Sequence, residues 1–227
     1  MGKLILIRHG HTTLNRRGQD ERLRGWLDVP LDDEGLREAE ETAERVASHK
    51  IEVIYSSDLK RAMQTSIAIS RTTKAPLIPT PELRPWNLGV FGGQLIREIV
   101  PFLNLLSDLP DIAAPAGESW NQFHLRYSRQ LLSLLELAGS SDQTIAAVTH
   151  VRNFLAAPSV IEGSNKDKVP VTGGPKTGSI YVVEKMDGKW RLRTDQFEAA
   201  TGTPFLVSTA PASERPGLRT AAARAGG

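Results

Sequence analysis

Three short segments of this chain carry side chains suited to holding and attacking an anion: Arg8-His9-Gly10, Arg61 and Thr149-His150. An arginine presents a planar fork that matches the oxygens of a phosphoryl group, and a neutral imidazole supplies an attacking nitrogen. Guanidinium charges nearby also keep such an imidazole deprotonated. Two arginines and two histidines sharing one site would therefore suit in-line phosphoryl transfer. Gly10 lets the chain turn sharply behind His9, and a helix after that turn would offer free N–H groups to an anion. The competing chemistry is a metal site, because His9-Gly10-His11 spaces two imidazoles by two residues. Arg8 beside that pair repels a cation, and no carboxylate cluster stands near it in sequence. Neither a metal nor an organic cofactor is expected.

These residues can meet only if the elements around them bring them together. Lys3 to Ile7 is an apolar run ending in Arg8-His9-Gly10, the pattern of a buried strand that leads into a turn. Asp32 or Asp33 can cap a helix with Leu36, Ala39, Ala43, Val46 and Ala47 on one face. Ile51 to Ser56 reads as a second strand, followed by a helix that Asp58 caps and that contains Leu59, Ala62, Met63 and Ile67. Arg61 lies early in that helix, over the same strand ends. Pro76, Pro79, Pro81 and Pro85 break the stretch from Ala75 to Gly93 into a strand and a loop at the site. Leu95 to Leu106 is helical, with Pro101 expected to kink or split it.

Ser119 caps a helix whose Trp120, Phe123, Tyr127, Leu131, Leu134 and Leu135 recur at helical spacing up to Gly139. Thr144 to Val148 is a third buried strand, and it too ends in a histidine, His150. Ser179 to Glu184 and Trp190 to Thr194 flank Met-Asp-Gly-Lys, a hairpin signal that places antiparallel strands at a sheet edge. Alternating strands and helices imply a three-layer α/β/α sandwich with a mostly parallel central sheet and an antiparallel edge. In an open sheet of this kind, ligands sit beyond the carboxyl ends of the strands, where both histidines fall. One domain over residues 1–202 is expected, then a flexible tail over 203–227 rich in Ala, Pro, Ser, Gly and Arg.

Composition excludes other classes. With no cysteine there is no disulfide, thiolate catalysis or cysteine-ligated zinc. Lys and Arg outnumber Asp and Glu by only 28 to 26, too few for a nucleic-acid-binding stripe. The apolar run at the start is too short for a signal peptide or a membrane span, and Leu6 stands where a myristoylation motif wants Ser or Thr. A cytoplasmic location and no membrane partner are expected; the oligomeric state is open.

The segments LIRHGHTTLN, VIYSSDLKRAMQT, AGESWNQFHLR and AVTHVRN resemble, in order and spacing, the histidine phosphatase or phosphoglycerate mutase-like superfamily over roughly residues 3 to 195. The resemblance implies a phosphohistidine on His9, with Arg8, Arg61 and His150 completing the pocket. It also implies that Asn15 contacts phosphoryl oxygens and that the RGWLDVPL loop, with Gly25, closes one side. Two departures bear on function. Pro85 stands where the family carries a glutamate general acid, which leaves His11 and Glu82 as substitute acids. Val151-Arg152 replaces the usual Gly after the second histidine, narrowing the pocket and adding the Arg152 cation. The function expected is hydrolysis of a small phosphorylated substrate, biased by Pro85 toward activated leaving groups. The rival readings are a non-catalytic phospholigand-binding module and a mutase. The mutase is disfavoured because the chain lacks both the longer insertion with paired arginines and the usual glutamate.

Overall fold

A computed structural model describes residues 2–15, 20–163 and 173–193 of the chain. The elements in chain order are β1 (Lys3–Arg8), α1 (Asp33–Val46), β2 (Val53–Ser56), α2 (Lys60–Thr73), β3 (Leu77–Pro79), α3 (Ile96–Asp108), α4 (Trp120–Ser141), β4 (Thr144–Thr149), α5 (Val151–Glu162), β5 (Ile180–Met186) and β6 (Lys189–Arg193). The six strands form one sheet in the order β3-β2-β4-β1-β5-β6. The first four run parallel, and β5 and β6 close the edge antiparallel.

Both faces of the sheet are covered, which is why β1 and β4 are almost wholly apolar rather than alternating. Leu4, Leu6, Ile145 and Ala147 pack with α3, α4 and α5 on one side; Ile5, Ile7, Ala146 and Val148 pack with α1 and α2 on the other. This is the α/β/α sandwich expected. At the far edge, Asp187 and Gly188 both have positive φ, 51° and 75°, as the tight hairpin between β5 and β6 requires.

Several local details differ from the sequence-based expectation. Asp32 caps α1 through a bond from the Gly35 N–H, but the buried face is Gly35, Ala39, Thr42, Ala43 and Val46. Leu36 points outward at 44% exposure, because Gly35 is pressed against the loop after His9, where a Cβ would lie 2.0 Å from the His11 carbonyl oxygen. Asp58 does not cap α2. The cap position is Leu59, and the Asp58 carboxylate instead takes two bonds from Arg84. Pro101 does not split α3, which runs unbroken past it. Helix α4 opens on a full capping box between Ser119 and Gln122, and it passes Gly139 to end on Asp142 in the left-handed region. Residues 203–227, the expected tail, and all of 194–202 lie outside the described residues.

Candidate active site

β1 and β4 are adjacent and parallel, with Arg8 opposite Thr149 in register. His9 and His150 therefore leave the sheet side by side, and their ring centroids lie 5.0 Å apart. β2 lies on the other side of β4, with Ser56 opposite Val148, so Ser57 and the first turn of α2 with Arg61 reach the same end. An open cleft of about 720 Å³ lies over these strand ends.

The hydrogen bonds fix the two rings differently. His9 Nδ1 lies 2.7 Å from the Gly10 carbonyl oxygen, which can only accept, so the ring carries its proton on Nδ1 and keeps a lone pair on Nε2. Burial, then the Arg61 and Arg8 charges, hold the His9 pKa well below the ordinary histidine value, so the ring is neutral at pH 7. His150 is shifted down by the same causes, with His9 adding to them. Its Nε2 lies 2.8 Å from the Ser57 hydroxyl, while its buried Nδ1 has no protein partner. The Ser57 hydroxyl can donate to Nε2 or accept from it, so this contact is compatible with either tautomer of the neutral ring.

The arginines are braced through backbone carbonyls. Arg8 Nη1 donates to Pro175 O; Arg61 donates from Nη1 to Leu27 O at 2.7 Å and from Nη2 to Gly25 O at 2.8 Å. Gly25, with φ of 47°, holds the loop turn that presents those carbonyls. The Nε groups of Arg8 and Arg61 are buried without a partner. Burial and neighbouring arginines push both guanidiniums down to about 9. An anion entering the cleft would relieve that repulsion.

The other expected residues divide. Asn15 lines the cleft and accepts from the Thr12 N–H and hydroxyl, and Gly25 and Arg152 line it as well. His11 lines it with Nδ1 2.7 Å from Asp32. Burial acts to raise the Asp32 pKa, but bonds from the Gly35 N–H and His11 outweigh it and keep the carboxylate ionised. Glu82 is not brought to the cleft: it is exposed, in a turn whose carbonyl is tied to Arg126. Pro85 lines the cleft, its carbonyl accepting from Trp26 and Arg126. His49 and His124 lie away from it, and Glu118 is bound by Asn87 N and Arg126.

The family model of the histidine phosphatase superfamily (branch 1) matches residues 4–196. The chain belongs to this superfamily. Among curated relatives, the probable phosphoglycerate mutase GpmB of Proteus mirabilis (strain HI4320) is 35% identical over 142 residues, covering 60% of this chain and 65% of that protein. GpmB of Yersinia pestis (strain Pestoides F) is 32% identical over 146 residues, covering 62% and 66%. The chain thus spans slightly under two thirds of the length of these relatives. Among solved structures, a mycobacterial glucosyl-3-phosphoglycerate phosphatase in complex with VO3 superposes with a TM-score of 0.72 at 25% identity, over 86% of this chain and 98% of the other. A protein described as mycobacterial hydrolase 1 gives 0.71 at 26%, over 85% and 96%.

Within this superfamily fold, further residues contribute to the cleft, and Arg24, Glu38 and Ser57 are among those that sequence reasoning passed over. Arg24 is 9% exposed and donates to Leu14 O and Glu21. Glu38 accepts from the His11 N–H and the Thr177 hydroxyl, joining the cleft wall to residues 173–179. Ser57 orients His150. Leu23, Trp86, Leu88 and Ile96 give the cleft an apolar side. The signal for Arg24 was its place directly before Gly25; Ser57 stood in the quoted VIYSSDLK segment with nothing to mark it.

Proposed function

We propose that this chain is a phosphatase that hydrolyses small phosphorylated substrates through a phosphohistidine on His9, without a metal ion or organic cofactor. The observation that carries this reading is a set of three buried, unpartnered nitrogens, on Arg8, Arg61 and His150, in the cleft that also holds a neutral His9. Buried donors left without partners cost stability, and a bound phosphoryl oxygen satisfies each of them. In the first step the His9 Nε2 lone pair attacks phosphorus, the N–P bond forms, and the P–O bond to the leaving group breaks with its electron pair. In the second, water attacks the same phosphorus, releasing phosphate and returning neutral His9. Arg8, Arg61, the His150 Nδ1–H and Asn15 stabilise the charge on the equatorial oxygens in both steps.

The leaving oxygen needs a proton. We assign that role to His11, which lines the cleft 2.7 Å from Asp32: it donates a proton to the leaving oxygen and takes one back from water. The apolar wall of Leu23, Trp86, Leu88 and Ile96 receives the leaving group. Metal independence rests on the cleft's donor set: arginines surround the histidines, and no group of three His, Asp or Glu suited to a metal ion occurs among the described residues. No helix among these residues is long and apolar enough to cross a membrane.

The test is turnover of aryl phosphates by chelator-treated protein, together with capture of an acid-labile phosphoenzyme. His9→Ala should abolish both while the melting transition remains cooperative. Phosphate binding without turnover would establish the binding-module reading instead, and an activity that needs added zinc or manganese would overturn metal independence.

A further inference from the structure

The fork of Arg61 is pinned by two backbone carbonyls, and the residue between them is Trp26. Buried Arg61 donates to Gly25 O and to Leu27 O, one on each side of that tryptophan. The loop presenting these carbonyls is also tied to the helix that carries Arg61: Asp28 accepts from the Lys60 N–H at 2.7 Å, in the first turn of α2. Bonds of this kind move with α2. They fix the loop to the helix, not to the strand ends where His9 and His150 stand.

Trp26 supplies a tie across to those strand ends. Its indole N–H donates to Pro85 O at 2.8 Å. The guanidinium of Arg84 lies 4.7 Å from the centre of its ring and that of Arg126 lies 5.7 Å from it, distances at which a cation is drawn to an indole. Both arginines are themselves held: Arg84 gives two bonds to Asp58, and Arg126 bonds Glu118 and the carbonyls of Glu82, Arg84 and Pro85. The turn before Pro85 is fastened beside His150, because Thr149 Oγ1 donates to Leu83 O and Asn153 Nδ2 donates to Leu83 O and Arg84 O. A continuous path therefore runs from the end of β4, through residues 83–85 and Trp26, to the carbonyls that hold Arg61. Trp26 is 37% exposed, unlike Trp86 and Trp120 of the core, so directed contacts rather than burial keep it in place.

We propose that Trp26 is a positioning residue for Arg61: it registers the brace of Arg61 against the strand ends that carry the two histidines, and so sets the direction of the guanidinium without changing its charge. This rests on Arg61 being a phosphoryl clamp, but its test does not depend on turnover. Because Trp26 acts through Arg61, its loss matters only while the Arg61 fork is there to be aimed, and a double-mutant cycle isolates that dependence. Titration calorimetry on the full chain measures the affinity for inorganic phosphate, with Tm alongside, in Trp26→Phe, Trp26→Ala, Arg61→Lys and the two double variants. Trp26→Ala should weaken binding about 10-fold, the loss of one well-aimed charge-assisted bond, and Trp26→Phe, which keeps a ring but no N–H, about 3-fold. In the Arg61→Lys chain both ratios should fall to near 1. Equal weakening in the two backgrounds would assign Trp26 a purely structural role and overturn the proposal, as would an unchanged affinity in Trp26→Ala. Should Trp26→Ala lose its cooperative transition, Trp26→Phe carries the cycle under the same criteria. A natural chain that binds no phosphate overturns the proposal together with the clamp. An Arg61-dependent effect of Trp26 in a chain that turns over no aryl phosphate keeps the positioning role and rejects the phosphatase.

Discussion

At the residue scale, the two histidines do different work because their second nitrogens meet different partners. A carbonyl fixes His9 as an Nε2 nucleophile, whereas the Ser57 hydroxyl, able to donate or accept, fits either tautomer of His150. Arg61 does two things at once, pinning the Gly25 and Leu27 carbonyls with its fork while Nε stays unpartnered. Lysine keeps the charge but not the fork. Arg61→Lys is therefore expected to lower kcat/KM with an aryl phosphate by about 10²-fold and to make the 25–28 loop more sensitive to protease. A loss under threefold would contradict the assignment. For the proton donor, His11→Asn should slow alkyl phosphates far more than nitrophenyl phosphate, whose leaving group needs little help. Glu82→Gln, at an exposed position off the cleft, should change neither rate. Equal slowing of both substrates by His11→Asn would remove His11 from the proton's path.

At the element scale, register does the placing. The pairing of β1 with β4 sets the histidines side by side, and the pairing of β2 with β4 delivers Ser57 and Arg61 to the same end. The N-terminus of α1 is wedged against the loop after His9, so that Gly35 touches the His11 backbone and Gly10 sits against Gly35. No side chain fits there. Gly35→Ala should cost about 1–3 kcal/mol by overpacking and should also reduce kcat, because α1 can relieve the clash only by moving His11 and its loop. Equilibrium unfolding and steady-state kinetics on the same preparation check both parts, and an unchanged kcat would show that the wedge is structural alone.

At the scale of the whole molecule, a buried cluster of cations and neutral imidazoles makes stability depend on pH and on anions. His9 and His150 both have folded pKa values well below the ordinary one. Above about pH 6.5 neither state binds the proton, and the pair contributes nothing. Below it, the unfolded chain takes up protons that the folded chain refuses, so stability falls as pH falls, by about 1.4 kcal/mol per pH unit for each such histidine until its folded pKa is reached. Tm without ligand should drop between pH 7 and pH 5, and His9→Asn should make that drop shallower. Inorganic phosphate should raise Tm at pH 7 in a concentration-dependent way, since it binds only the folded cleft. A Tm flat across that pH range, measured by calorimetry, would contradict the burial of two neutral histidines.

Local order along the chain was enough to establish the strand-end positions of His9 and His150, the helix carrying Arg61, the hairpin at Asp187-Gly188 and the layered α/β class. Each of these depends on the period of the apolar residues and on short-range turn chemistry. The superfamily was legible for the same reason, because its motifs are contiguous. Only the tertiary structure decided which side chains fill the cleft between those motifs. Arg24 and Glu38 reach it from a loop and a helix whose local patterns describe only a turn and an amphipathic surface. Glu82 was separated from it, because the turn that carries it is tied to Arg126, and Asp58 was drawn from a capping role to Arg84, 26 residues away. Leu36 faces solvent because the contact between Gly35 and His11 rotates α1, a clash between backbones that no periodicity encodes. Sequence pattern fixes an element's apolar face relative to its own axis; how that axis is turned, and which charges share one desolvated space, is set by contacts between distant segments.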